Sequence, residues 1–192
     1  MFLVVGLGNP GEEYASHRHN VGFMVLDELC GRWRIGPLKQ KFGGEQAKGT
    51  IHEREVIALR PLRYMNVSGE AVQAAASFFQ IEPRDVIVIH DDIDLEFGRL
   101  KVKVGGGHGG HNGVRSISEH LGPAFLRVRV GVGHPGHKER VIGHVLGPFT
   151  KAEQKELGPM VANAADAVET LIKEGAAFAM NKFNQGPKED PI

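Results

Sequence analysis

Val86-Ile-Val-Ile89 is an unbroken run of β-branched residues with no polar alternation. A strand of that kind must be covered on both faces, which demands a sheet enclosed between two other layers. Phe2-Leu-Val-Val5 repeats the pattern near the start of the chain and runs into Gly6 and Gly8, where a tight turn follows. Helical spacing fills the intervals. Val21, Met24, Val25 and Leu29 mark a helix from about Asn20 to Trp33, and Ser68 to Phe79 reads as another, with Ser68 as N-cap and Glu70 in its first turn. Residues 42–60 read as extended, with a turn near Gly49 to Glu53.

Two later segments, Arg99 to Val104 and Leu126 to Val132, alternate strictly between apolar and other residues. Between them lie a glycine-rich loop, Gly105 to Gly113, and a helix to about Leu121. A long amphipathic helix over 151–173 and a shorter one over 175–183 follow. The polar, proline-containing segment 185–192 is expected to be a disordered tail. The fold class expected is α/β: one three-layer domain over residues 1–184, with a mixed twisted sheet flanked by helices.

Composition supports this. With 192 residues, 41% of them hydrophobic, the chain can build a core without a disulfide or metal staple. Cys30 is the only cysteine, which fits a reducing cytoplasm, and its apolar helical surroundings suggest a packed thiol rather than a nucleophile. No stretch approaches the ~20 apolar residues of a membrane span, and no basic and apolar leader pattern opens the chain. Lys plus Arg and Asp plus Glu each total 23. Net charge therefore announces no nucleic-acid partner, and only a local concentration of cations could.

Gly6-Leu-Gly8-Asn-Pro-Gly11 fits G-x-G-x-x-G after a strand, the pattern of a dinucleotide-binding oxidoreductase. Its surroundings argue against that use. Pro10 removes an amide where a pyrophosphate needs one, Glu12 and Glu13 repel phosphate, and no ribose-binding acid follows a second strand. The alternative is a turn at the strand end that exposes Asn9. The ten histidines invite a metal reading, with His108/His111 and His134/His137 as the closest pairs. Both pairs lie among glycines and prolines without a third ligand at a recognisable spacing, so no metal is expected.

A metal-free constellation remains. Asn9 follows the first strand, His19 lies just before a helix, Asp91 and Asp92 end the buried strand, and Asn112 opens a helix after the glycine loop. In open α/β sheets ligands gather beyond the carboxyl ends of the strands. An imidazole can take a proton near neutral pH, and a carboxylate beside it fixes its tautomer. No G-x-S-x-G elbow is present, so water would be the nucleophile.

The segments Gly6-Leu-Gly-Asn-Pro-Gly11, Arg18-His-Asn20, Tyr64-Met-Asn-Val-Ser-Gly69, His90-Asp-Asp-Ile-Asp94, Gly105-Gly-Gly-His-Gly-Gly-His-Asn-Gly113 and Gly131-Val-Gly-His-Pro-Gly136 together resemble the bacterial peptidyl-tRNA hydrolases. They occur in that family's order over residues 1 to about 148. The resemblance implies a cytoplasmic, monomeric, cofactor-free hydrolase of the peptidyl-tRNA ester that recycles tRNA after premature release from ribosomes. It implies that His19 is the base, that Asp91 orients it, and that Asn9 contacts the peptide and helps reject free aminoacyl-tRNA. Asn66 and Asn112 resemble the amides that hold substrate and water, Tyr14 and Tyr64 the lining of the tRNA end, and Met65 a wall of the peptide groove. A non-catalytic tRNA-binding module remains a rival reading.

Binding tRNA needs cations, and the alternating strands offer them. If Leu100, Val102, Val104, Leu126, Val128 and Val130 face the core, then Arg99, Lys101, Lys103, Arg127 and Arg129 face outward. With the resemblance, these imply a phosphate clamp centred on Lys103 and Arg129, with Lys101 beside them.

Overall fold

The structure is a computed structural model and describes residues 1–186. The predicted tail at 185–192 therefore lies outside the described residues, apart from Gln185 and Gly186, which belong to no regular element. One seven-stranded sheet forms the centre, in the order β2-β3-β4-β1-β5-β7-β6. The strands are β1 (Phe2–Gly6), β2 (Lys39–Lys41), β3 (Gly44–Ile51), β4 (Arg54–Pro61), β5 (Val86–Asp92), β6 (Leu100–Val104) and β7 (Leu126–Gly131). β4, β1, β5 and β7 run parallel, whereas β2, β3 and β6 join antiparallel at the two edges. The sheet is mixed, as the patterning predicts.

Helices cover both faces. Val4, Ile87, Ile89, Leu126, Val128 and Val130 pack with α1 (Val21–Trp33), α5 (Lys151–Glu174) and α6 (Ala176–Phe183). Leu3, Val5, Val86 and Val88 pack on the other face with α2 (Ser68–Phe79) and α3 (Asn112–Leu121). Alternate residues of β1 and β5 thus enter opposite cores, which is why neither strand has a polar position before its end. Because α1 lies on one face and α2 and α3 on the other, the crevice beyond the carboxyl ends of β1, β4 and β5 is where chain direction diverges.

Four local expectations need correction. Ser68 is not the N-cap of α2 but its first residue; a 3-10 turn over Met65–Val67 leads straight into the helix, and the Ser68 hydroxyl donates to the Met65 carbonyl instead. Val104 is 49% exposed rather than in the core. It lies two residues beyond Val102, whose backbone is clasped by the Asn184 side chain at the end of α6, so the helical cover stops short of it. Asn9 is buried rather than exposed, because its side chain accepts from the backbone of the 3-10 turn at Met65. Arg127 is 3% exposed although its position alternates outward, because the glycine loop folds over it.

Candidate active site

The ends of β1, β5 and α1 meet almost backbone to backbone. A Cβ on Gly6 would collide with the Gly22 carbonyl, and one on Gly22 with the Ile89 carbonyl. These glycines serve close packing, not a pyrophosphate. After Gly11 the chain makes two short 3-10 turns, Glu12–Tyr14 and Arg18–Asn20, before α1 begins at Val21, so the helix does not follow the glycine turn directly as a dinucleotide site requires.

His19 stands in a short 3-10 turn, Arg18–Asn20, directly before α1. Its neighbours fix that turn. Arg18 is 6% exposed and pairs with Glu153 at 2.7 Å, its side chain donates to the His144 carbonyl, and its backbone N–H donates to the Gly147 carbonyl. Asn20 exchanges two hydrogen bonds with the backbone of Asn9, at 3.0 and 2.9 Å. The His19 turn is therefore tied both to the first strand and to the start of α5.

His19 Nδ1 lies 2.8 Å from each oxygen of Asp91, which is 2% exposed at the end of β5. Nδ1 must carry the proton in this contact, leaving the Nε2 lone pair free. His111 Nε2 lies 2.8 Å from Asp91 Oδ1, while its Nδ1 accepts from the backbone N–H groups of Gly113 and Val114 as the N-cap of α3. Nδ1 is thus the acceptor and Nε2–H the donor, so both His111 nitrogens are committed within the protein. Burial alone pushes the Asp91 carboxyl pKa up, but the His19 and His111 rings outweigh it and hold it far below the ordinary carboxylate range. Burial, then the His111 ring, pushes the neighbouring His90 well below an ordinary histidine, and its Nδ1–H donates to the Asp91 carbonyl.

Two hollows meet at His19. One, of about 440 Å³, is lined by His19, Asp91, His111, Asn112, Val141 and Ile142, among others. The other, of about 280 Å³, is lined by Asn9, His19, Tyr64, Met65, Asn66 and Asn112, with Ile142, Val145 and Leu146. The structure thus brings Asn9, Met65, Tyr64, Asn66 and Asn112 around His19. Tyr14 lines neither hollow; it lies in the preceding turn with its ring edge-on to His17. Asn9 Oδ1 accepts from the Met65 N–H at 2.9 Å, which sets its amide orientation and leaves Nδ2 as a donor without a partner among the described residues.

The cations occupy the β6–β7 end of the sheet. Lys101 pairs across with Arg129 and Lys103 with Arg127 in antiparallel register. Lys101, Lys103 and Arg129 are partly exposed there, on the face opposite the core beneath α5 and α6. Arg127 donates instead to the Gly105 and Gly107 carbonyls at 2.8 and 2.9 Å and holds the glycine loop.

His111 is the site residue that spacing alone passed over. Its signal was its place immediately before a helix that Asn112 opens, where an N-cap acceptor belongs. The segment after Gly136 was also unread. A 3-10 turn, Lys138–Arg140, leads into the five-residue α4, Val141–Val145, whose Ile142 and Val145 wall both hollows. His19, Asp91 and His111 also offer ligand atoms within 4.8 Å of one another, close enough to share a cation. Those atoms are the ones already engaged in the hydrogen bonds above, so an ion would have to replace both His–Asp contacts. The thiol of Cys30, pushed up to about 11 by burial and by Asp27, is no nucleophile at neutral pH.

The family model described as peptidyl-tRNA hydrolase matches residues 3–191. A peptidyl-tRNA hydrolase of Rhodospirillum rubrum is 53% identical over 182 residues, covering 95% of this chain and 75% of that protein. One of Clostridium novyi is 47% identical, covering 96% and 98%. The crystal structure of peptidyl-tRNA hydrolase from Acinetobacter baumannii superposes with a TM-score of 0.91 at 44% identity, covering 96% of this chain and 94% of that one. A crystal structure of a peptidyl-tRNA hydrolase complex with N-propanol gives 0.92 at 43% identity, covering 98% and 96%. This chain belongs to the peptidyl-tRNA hydrolase family.

Proposed function

We propose that this chain hydrolyses the ester joining a peptide to the terminal ribose of tRNA, with His19 as general base on water and Asp91 as its orienting carboxylate. The observation that carries the reading is His19 itself. Its Nδ1 is held by both oxygens of a buried carboxylate, and its ring lines both hollows, so Nε2 is the nitrogen left for substrate.

In the reaction, Nε2 takes a proton from water as the water oxygen attacks the ester carbonyl. The oxygen of that carbonyl becomes an anion and needs an N–H donor. When the C–O bond to ribose breaks, the imidazolium returns the proton to the leaving ribose oxygen, so the enzyme ends as it began. Asp91 stays ionised throughout and stabilises the imidazolium. The side-chain amides of Asn66 and Asn112, both exposed in the groove, are the neutral donors and acceptors available to hold the ester and water.

Asn9 supplies discrimination. Its fixed Nδ2 donor suits the carbonyl oxygen of a peptide, whereas the ammonium of a free aminoacyl-tRNA presents only donors to it. An unpaired polar group of this kind costs about 1–3 kcal/mol, or roughly tenfold to a hundredfold in selectivity. Met65 and Tyr64 wall the same groove, and the family resemblance alone assigns Tyr14 to the tRNA end. Lys103 and Arg129, with Lys101, form a clamp for backbone phosphate that reads no sequence. We read residues 1–184 as one catalytic unit acting as a cytoplasmic monomer that recycles tRNA from prematurely released peptidyl-tRNA.

The test is release of amino acid from N-acetylated and from free aminoacyl-tRNA, with EDTA present and absent. The reading expects rapid hydrolysis of the acetylated substrate alone, unaffected by EDTA. Equal hydrolysis of both would remove the role of Asn9, tRNA binding without turnover would make the chain a binding module, and loss of activity in EDTA would move the mechanism to a metal.

A further inference from the structure

Arg129 is not free to sample the surface. Its Nε donates to Asp92 Oδ2 at 2.7 Å, with the two side chains 20% and 11% exposed. The carboxylate is itself fixed: Asp92 Oδ1 accepts from the Asp94 backbone N–H at 2.9 Å, and the Asp92 carbonyl accepts from Val132. Among the described residues neither terminal nitrogen of Arg129 has a hydrogen-bond partner. A guanidinium held by Nε presents its two terminal amino groups as a fork, the geometry that matches two phosphate oxygens. Lys101 lies directly across from Arg129, and Lys103 one pair further along the same face.

The usual view of such a contact is that the carboxylate merely neutralises the cation, or competes with phosphate for it. The bonding pattern favours a different role. Asp92 uses the secondary nitrogen of the guanidinium and leaves the outward edge open, and its own second oxygen is locked into a turn. We propose that Asp92 is a positioning residue for phosphate binding: it aims Arg129 at the tRNA backbone. Because Asp92 follows Asp91 on β5, one dipeptide sets both the catalytic imidazole and the arginine of the clamp. The inference rests on the reading of Arg129 as a phosphate contact.

Asp92→Asn separates the roles. Its single amide oxygen can still accept from the Asp94 N–H, which turns the amide nitrogen toward Arg129 and removes the acceptor. The substitution makes the protein more positive by one charge, so competition or simple neutralisation predicts tighter tRNA binding. Positioning predicts the reverse: KM for N-acetyl-aminoacyl-tRNA rises about tenfold, kcat stays within about twofold, and the slope of log KM against log salt falls by about one phosphate contact. Arg129→Lys, which leaves the turn untouched and keeps the charge but has no fork, should raise KM similarly, and adding Asp92→Asn to it should change nothing further. The effect of each substitution on KM should be far smaller for N-acetyl-aminoacyl-adenosine, which has no phosphate, than for the tRNA substrate. An unchanged or lower KM in Asp92→Asn while Arg129→Ala raises it overturns the positioning role alone, as does a normal KM in Arg129→Lys. No effect of Arg129→Ala overturns the clamp reading and the inference together. A fall in kcat on the adenosine substrate would assign Asp92 to the chemistry instead.

Discussion

His111 illustrates how much a tautomer decides. Its Nδ1 caps α3 and its Nε2–H serves Asp91, so it has no nitrogen left for substrate and acts as a strut between the helix and the Asp91 carboxylate. His111→Ala is expected to lower stability by about 1 kcal/mol through the lost cap and to lower kcat by roughly tenfold, well short of the loss of the base itself. A loss as large as that of His19→Ala in single turnovers would make it a catalytic group. The Asp91 carboxyl has a depressed pKa, so its stabilising contribution is complete above the ordinary carboxylate pKa of about 3.9 and is lost only as pH falls below that. It therefore cannot produce an acid limb near neutrality. Asp91→Asn should lower kcat/KM by about 10²–10⁴, since the imidazolium formed in the reaction loses its anion. His90 is also depressed, but as a base: the folded state excludes the proton that the unfolded state binds below about 6.5, so stability falls with acid there. His90→Asn retains a donor for the Asp91 carbonyl and should flatten the fall in Tm between about pH 7 and 5. Residue types were legible in the sequence where chemistry limits them, as at His19 and Asp91. The partners of His111 and Arg127 were not, because a loop folded in three dimensions chose them.

At the scale of elements, the long apolar runs and regular helices were legible because their periods are strong: Val86–Ile89, the helix to Trp33, and the helix from Lys151 all appear where periodicity placed them. The short α4 was not. Five residues between two glycine and proline turns give no period to read, and α4 has no buried residue of its own. Its role depends on position, walling both hollows over His19. The link between elements that matters most for the base is Arg18 to Glu153. Glu153 completes a capping box with Thr150 at the start of α5 while pairing with Arg18. Burial pushes its carboxyl up, and the Thr150 backbone N–H with Arg18 reverses that to a net lowering. Glu153→Ala should cost about 1–2 kcal/mol of stability, measured by urea unfolding, and lower kcat more than KM changes, because the turn carrying His19 loses its anchor. Unchanged kcat would show that the Asn20 to Asn9 bonds hold the turn unaided.

For the whole molecule, neutrality and tRNA binding are compatible because charge is arranged rather than summed. The antiparallel register of β6 and β7 places Lys101 opposite Arg129 and Lys103 opposite Arg127, an arrangement that alternation anticipated, although the burial of Arg127 was not foreseeable from it. Binding should weaken steeply with salt, and Lys103→Ala should reduce that dependence by about one contact. The sheet order carries the rest of the design: β1 at the centre brings Asn9, β5 beside it brings Asp91, and α1 descends behind them with His19 at its entry. All of this converges on one nitrogen. The most direct measurement is single-turnover release of N-acetyl amino acid from its tRNA by saturating His19→Ala, compared with the unaltered protein. Loss of a positioned base predicts a rate lower by about 10²–10⁴ with tRNA affinity unchanged; a rate within about tenfold of the unaltered protein contradicts the account.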